Sequence, residues 1–240
     1  LKPDVILHTA AMTNVDGCEA NPAAAHETNV VAVKNIASVA NALGSKLIHI
    51  STDQLFDGVD AWKTEEDVPD PPNVYGKTKW LAEKSVLEEC SDALVIRTNF
   101  FGWGGPNRTS FSDWVLRGLA QDQKLTMFSD VFFTPIFINH LVDVTLNLVE
   151  RGAIGLYHVA GAERLSKYDF ALRLSEVFGY PTNDIHSTSV DDFPFKARRP
   201  KEMSLSTEKV SKYLEQPMPT VSKGLEALRD QCRLPQTGGP

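Results

Sequence analysis

Cysteine is nearly absent from this chain. Only Cys18, Cys90 and Cys232 occur in 240 residues, an odd number without framework spacing, which excludes a disulfide scaffold and fits a reducing compartment. Long apolar runs are missing too. Stretches such as Val5–Leu7 and Leu94–Ile96 are strand length, well short of the roughly 20 apolar residues a membrane helix needs. No basic segment leading into an apolar one opens the chain. A cytoplasmic location and no membrane partner are therefore expected. Positive charge is in deficit, with Lys+Arg 24 against Asp+Glu 31 and a formal net charge of −7. That balance argues against a broad nucleic-acid footprint, which needs clustered cations, but leaves room for a local basic pocket that holds a phosphorylated small molecule. The six histidines (His8, His26, His49, His140, His158 and His186) show no metal-ligand spacing, so no metal site is expected. His8 and His49 fall on strand patterns, where a satisfied core histidine is the expected state.

What is present alternates. Val5–His8 predicts a buried strand, and Pro22–Leu43 an Ala-rich helix closed by Gly44. A strand at Lys46–Ile50, a helix from Asn73 to Glu89 and a strand at Ala93–Arg97 follow. Strand–helix alternation signals βαβ units and a parallel sheet, and right-handed crossovers place the helices on its two faces. From Gly102 the texture changes. A Gly/Pro loop leads to helical patterns at Phe111–Ala120, Asn139–Glu150 and Ser166–Phe178, a strand pattern at Gly155–Val159, and short helices near Ser206–Leu214 and Val221–Gln231. The expected fold is α/β, a Rossmann-like doubly wound parallel sheet that is N-terminally incomplete, with a small C-terminal substrate lobe. Residues 1–130 are assigned to a partial dinucleotide-binding domain. Residues 131–234 are assigned mainly to the lobe, with some elements returning to the sheet, and 235–240 to a flexible tail.

A Gly-rich phosphate turn between a first strand and its helix is also missing. The single glycine cluster, Gly102–Gly105, follows a late strand and carries Trp103 and Pro106, which makes a poor phosphate cradle. Either no dinucleotide is used, or the chain begins inside the fold.

The chemistry-bearing residues sit at three successive strand ends, where open parallel sheets bind their ligands. Pro71-Pro72 forces an extended approach and Asn73 can start a helix. Tyr75 and Lys79 then lie four apart on one helical face. A phenol has a reference pKa of about 10. An ammonium within ~4–6 Å favours the phenolate and lowers that value, which suits proton donation to a carbonyl oxygen. The competing reading is a surface helix with this spacing by coincidence. Thr52 and Asp53 end the preceding strand, where they can reach a ligand or merely cap a turn. Thr9–Asp16, rich in small residues, ends the strand before that; it can admit a flat ligand or simply pack against a helix.

Thr9–Asp16, Asn29-Val30, Ile50–Asp53 with Phe56–Gly58, Val74–Lys79 and Arg97-Thr98, taken in order, resemble the dTDP-4-dehydrorhamnose reductase family of extended short-chain dehydrogenase/reductases. The resemblance covers nearly the whole chain and implies an oxidoreductase that reduces a 4-keto nucleotide-sugar in deoxysugar and cell-surface polysaccharide biosynthesis. It implies that Thr52 hydrogen-bonds the substrate carbonyl, Tyr75 protonates it, and Lys79 binds the nicotinamide ribose while tuning Tyr75. Ala10, Ala11 and Met12 match the segment lining the cofactor, NADP or NAD, and Asp53 matches a sugar contact. Thr13 is also placed on the substrate side. Phe100 stands where relatives often carry a Trp near the sugar. The residues that would hold pyrophosphate or choose between NAD and NADP precede Leu1 in the family, so this chain alone is expected to be inactive.

Arg199, in Arg198–Pro200, offers a guanidinium fork suited to a diphosphate; an exposed basic pair is the alternative. Gln54 stands where a related dehydratase carries an acid, which weighs against elimination. A nucleotide-sugar epimerase, and a non-catalytic homologue like the regulatory subunit of methionine adenosyltransferase, remain as alternatives. A homodimer is the expected assembly.

Overall fold

The computed structural model describes residues 2–105 and 109–233. Pro106 and the tail assigned to 235–240 lie outside the described residues. The chain runs β1 (Val5–His8), α1 (Val15–Ala20), α2 (Pro22–His26), a π turn (Glu27–Val31), α3 (Ala32–Leu43), β2 (Lys46–Ile50), α4 (Val74–Glu89), β3 (Ala93–Arg97) and β4 (Phe100–Phe101). It continues with α5 (Phe111–Ala120), β5 (Leu125–Phe128), β6 (Phe132–Phe133), β7 (Ile136–Phe137), α6 (Ile138–Glu150), β8 (Gly155–His158) and β9 (Leu165–Ser166). The last elements are α7 (Lys167–Phe178), β10 (Ile185–Thr188), a 3-10 turn (Val190–Asp192), α8 (Glu208–Leu214) and α9 (Val221–Arg233).

The main sheet has the order β1-β2-β3-β8 and is parallel throughout. Side chains alternate faces along a strand, so a sheet covered on both sides is apolar at every position. Strand β3 obeys this: Ala93 and Val95 pack with Val33, Ala37 and Ala40 of α3 and Ala82 and Val86 of α4. Leu94 and Ile96 turn the other way, onto Leu141, Val144 and Leu148 of α6 and Val210 and Leu214 of α8. Each fully buried Leu, Ile or Val contributes about 1.5–3 kcal/mol, so truncating Leu94 to Ala would cost about 2–5 kcal/mol. The sheet is doubly wound, as expected. On β1, Val5 and Leu7 are exposed.

A second core gathers Val115, Leu116 and Leu119 of α5, Leu125 and Met127 of β5, Phe170 and Leu174 of α7 and Leu225 and Leu228 of α9. A division at residue 130 therefore does not follow the packing. Helix α5 and strand β5 belong to the lobe because their apolar stripe meets α7, whereas α6, β8 and α8 return to the sheet.

Local signals fix several boundaries. Asn73 caps α4 by accepting from the Gly76 N–H at 2.9 Å. Ser110 and Ser166 form capping boxes with Asp113 and Asp169, and Gly44 closes α3 in the left-handed region (φ 69°). Three features depart from expectation. The Pro22–Leu43 helix is broken by the π turn. Helix α1 begins directly after the first strand-end segment, capped by Asn14, which accepts from Gly17 N–H. Finally, β5 and β10 pair in parallel, although β10 offers one apolar residue in four and hence no strand pattern.

Candidate active site at the strand ends

The first strand-end segment, Thr9–Asn14, is held by Asn29. The π turn aims this side chain inward, where Oδ1 accepts from Met12 N–H at 2.7 Å and Nδ2 donates to Met12 O and to Thr78 Oγ1, both at 3.0 Å. Thr78 Oγ1 in turn donates to Tyr75 O. Segment 9–14 and the first turns of α4 are thus tied by one carboxamide. Tyr75 is 7% exposed and clusters with Cys18 and Ala25, with Met12 packed beside it.

Lys79 is carried inward by the same helix. Its ammonium, 3% exposed, donates to the Ile50 carbonyl at 2.8 Å and lies 3.2 Å from His49 Nε2. It therefore sits at the end of β2, just ahead of Ser51 and Thr52. Burial pulls its pKa down to about 8, opposed by the nearby Glu83 carboxylate. An ammonium has no acceptor, so His49 accepts through Nε2. Burial, then the charge of Lys79, pushes the His49 pKa well below its ordinary value, and a neutral ring bonded this way carries its hydrogen on Nδ1. His49 Nδ1 then donates to His8 Nδ1 at 3.1 Å. The two strand histidines are satisfied core groups, stacked with ring centroids 5.3 Å apart.

Behind Lys79 the helix is anchored by an ion pair. Glu83 and Arg97 are each 3% exposed, with Arg97 Nε donating to both carboxylate oxygens at 3.1 Å and its NH2 to Oε2 at 2.8 Å. Gly76 brings the first turn of α4 against the loop after β2. A Cβ there would collide with the Gln54 carbonyl oxygen and approach Pro71 Cβ to 2.7 Å.

Thr52 and Asp53 are both buried. Thr52 Oγ1 accepts from Gln54 N–H and donates to Asp53 Oδ1, each at 3.3 Å. Asp53 Oδ2 accepts from Asn99 Nδ2 at 2.6 Å. Burial lifts the Asp53 carboxyl to about 6 against the pull of Lys167, Asn99 and Thr52.

Two open cavities adjoin these residues. One of about 150 Å³ is lined by Gln54, Asn99, Lys167 and Arg199 among others. A larger one, about 460 Å³, lies between Asp57-Gly58 and the Val190–Lys201 segment and also includes Arg199. Thr52, Tyr75 and Lys79 line neither, so the volumes mark ground beside the Tyr/Lys centre. Arg199 lies over the Phe195 ring at 4.6 Å and pairs with Asp16 at 3.0 Å, while its NH1 is buried with no partner among the described residues. Of the remaining expected residues, Ala10 and Thr13 are exposed and Ala11 and Met12 half-buried. Phe100 stands half-exposed on β4 and lines neither cavity. Trp103 donates from Nε1 to Leu228 O within the lobe.

Residues that sequence reasoning passed over are Asn99 and Lys167, both brought to Asp53 from distant segments, and the structural role of Asn29. The capping box Ser166–Asp169 could have placed Lys167 at a helix start, but nothing local points it at Asp53.

A parallel doubly wound sheet, with Tyr75 and Lys79 on the helix that crosses the end of β2, defines an α/β protein of the short-chain dehydrogenase/reductase type. Residues 1–234 match the model of the RmlD substrate binding domain. The chain is 34% identical over 230 residues to a probable low-salt glycan biosynthesis reductase, Agl14, of Haloferax volcanii, covering 94% of this chain and 76% of that one. It is 31% identical over 242 residues to a dTDP-4-dehydrorhamnose reductase of Escherichia coli, with 96% and 80% covered. It is also 33% identical over 228 residues to methionine adenosyltransferase 2 subunit beta of Rattus norvegicus, with 87% and 64% covered. A crystal structure of a dTDP-4-dehydrorhamnose reductase from Bacillus anthracis in complex with NADP superposes with a TM-score of 0.89 at 27% identity, covering 96% of this chain and 81% of that one. This protein belongs to the RmlD substrate binding domain family. Among the described residues no helix is long and apolar enough to cross a membrane.

Proposed function

We propose that the protein is an NAD(P)H-dependent reductase of a 4-keto nucleotide-sugar of the dTDP-4-dehydrorhamnose type, serving deoxysugar and cell-surface polysaccharide biosynthesis. The observation that carries this reading is the position of the Lys79 ammonium. It is buried at the end of β2 one helical turn from Tyr75, and two of its three hydrogens are directed to Ile50 O and His49 Nε2. The third is a donor left for a ligand, and the small side chains of exposed Ala10 and half-buried Ala11 beside Met12 suit a flat heteroaromatic group. The residues present thus fit a nicotinamide nucleotide. Such a cofactor, when bound, supplies the hydride.

In this reading the chain's own groups divide the remaining work. Thr52 Oγ, whose single hydrogen turns from its long 3.3 Å contact with Asp53 Oδ1, donates to the keto oxygen and fixes its orientation. Tyr75 transfers its phenolic proton to that oxygen as negative charge develops there, a contribution typically of 10²–10⁴-fold in such catalysis. Lys79 stabilises the phenolate left behind through its charge and holds the ribose with its free hydrogen. Asp53 takes a sugar hydroxyl, Thr13 and Phe100 flank the sugar, and the unpartnered NH1 of Arg199 is the donor for the diphosphate. Val39, Leu43, Leu81 and Leu87, exposed on the adjacent helices α3 and α4, support pairing of two copies into a homodimer. The cytoplasm is the proposed location.

The test is consumption of NADPH or NADH with a dTDP-4-keto-6-deoxy sugar by the full-length protein and its Tyr75→Phe variant. A loss of at least about 100-fold in kcat is expected. Equal rates for the two proteins, or a stoichiometric partner enzyme recovered with no turnover on any keto-sugar, would overturn the reading.

A further inference from the structure

Lys167 breaks three local rules at once. It is the first residue of α7, where the helix dipole disfavours a cation. It is half-buried, with Nζ over the Phe133 ring at 3.3 Å and 5.0 Å from the Phe111 centroid. Among the described residues no carboxylate contacts it and no hydrogen bond satisfies its ammonium. Violations of this kind, without a compensating partner, concentrate at functional sites.

Its surroundings indicate what is missing. Lys167 faces the cavity of about 150 Å³ together with Gln54, Asn99 and Arg199. Asn99 holds Asp53, and Asp53 and Lys167 feel each other's charge without forming a contact ion pair. Burial lowers the Lys167 pKa to about 8, so the ammonium remains charged at neutral pH. The space beside it is lined by Lys167, a group that only donates, and by Asn99, behind which the buried Asp53 carboxylate, which only accepts, is held at 2.6 Å. A carboxylate on the ligand would be repelled by Asp53, and an amine by Lys167. A hydroxyl satisfies both, accepting from one and donating to the other.

We propose that Lys167 is a specificity-determining residue that, with Asp53, brackets the sugar hydroxyl on the carbon next to the keto group. The inference rests on the reductase reading, because it is Thr52, next to Asp53 in the chain, that fixes the carbonyl there. Lys167 donates to the hydroxyl oxygen, and the hydroxyl hydrogen is accepted by Asp53. No bond is made or broken at this position. Its effect is binding energy shared by ground and transition states, so it appears in KM more than in kcat.

The experiment compares the full-length native protein with Lys167→Met, which keeps length and apolar contact with Phe133 while removing the charge. Substrates are a dTDP-4-keto-6-deoxy sugar and its 3-deoxy analogue, and binding of the corresponding reduced dTDP-sugars is measured by calorimetry. Native protein is expected to favour the hydroxyl-bearing substrate by about 100-fold or more in kcat/KM, since a site built around a hydroxyl rejects the analogue lacking it. In Lys167→Met the preference is expected to fall below about tenfold, mainly through KM. Thermal unfolding checks that the variant is folded; removal of an unpaired half-buried ammonium should leave Tm unchanged or raised. An unchanged preference in the folded variant overturns the proposal while leaving the reductase reading intact. If native protein turns over neither substrate, yet binds the hydroxyl-bearing dTDP-sugar at least tenfold more tightly than Lys167→Met does, the reductase reading fails and the bracket stands. Absence of binding to either nucleotide-sugar overturns both.

Discussion

Replacing Glu83 by Leu should destabilise the protein through the partner it leaves behind. Arg97 stands at the end of β3 with both Glu83 oxygens bonded to its Nε and one to NH2, and each residue is only 3% exposed. Breaking a buried pair from one side typically costs about 3–5 kcal/mol, because an uncompensated charge remains inside. For a chain of this size each kcal/mol lowers Tm by roughly 2–4 °C, so a fall of about 6–20 °C is expected. Removing both partners should be far milder, since replacing a buried pair by apolar groups of similar volume is often neutral. Thermal and denaturant unfolding of native protein, Glu83→Leu, Arg97→Met and the double variant closes the cycle. A second readout comes from the active centre. The Glu83 carboxylate raises the Lys79 pKa against burial, so in Glu83→Leu that value drops below about 8 and the alkaline limb of the pH–rate profile moves to lower pH. A single-variant cost under about 1 kcal/mol with negligible coupling would refute the reasoning.

His158 gives a pH prediction. It is fully buried, and burial followed by the charge of Arg97 pushes its pKa to about 3. Between the unfolded value near 6.5 and about 3 the unfolded chain binds a proton that the folded one refuses, so the contribution is fully present above about pH 6.5 and lost as pH falls. Relative to His158→Gln, native stability should decline by about 2 kcal/mol between pH 7 and pH 5. Asp53, raised to about 6, acts in the opposite sense but is common to both proteins. A pH-independent difference in urea titrations would contradict the assignment. Gly76→Ala should cost about 1–3 kcal/mol by overpacking and depress kcat sharply, because the added methyl pushes the Tyr75 turn away from Gln54. Native-like kinetics for that variant would show that the close approach is dispensable.

Much of this arrangement was legible locally. The Tyr75–Lys79 spacing, the Asn73 cap and the apolar strand cores are short-range signals, and they placed α4 and the strands β1, β2 and β3. The bracket around Asp53 was not legible, because Asn99 and Lys167 reach it from segments 46 and 114 residues away in the chain, and no local pattern encodes that meeting. Arg199 stood out as a candidate diphosphate ligand, but its attachment to Asp16 depends on the lobe folding back over α1. The π turn escaped because a one-residue excess leaves an Ala-rich helix pattern almost unchanged.

That extra residue places a rule on the chain. In an α-helix each residue advances the screw by about 100°. The frame that aims Asn29 at Met12 therefore differs from the one that lays Val33, Ala37 and Ala40 on the sheet. Deleting any residue from Glu27–Val31 would merge the two frames, and one set of side chains would have to swing out of place. Apart from Asn29 and the buried Val30, side chains along this stretch can be exchanged, but its length cannot be altered without releasing either the Met12 backbone or the sheet.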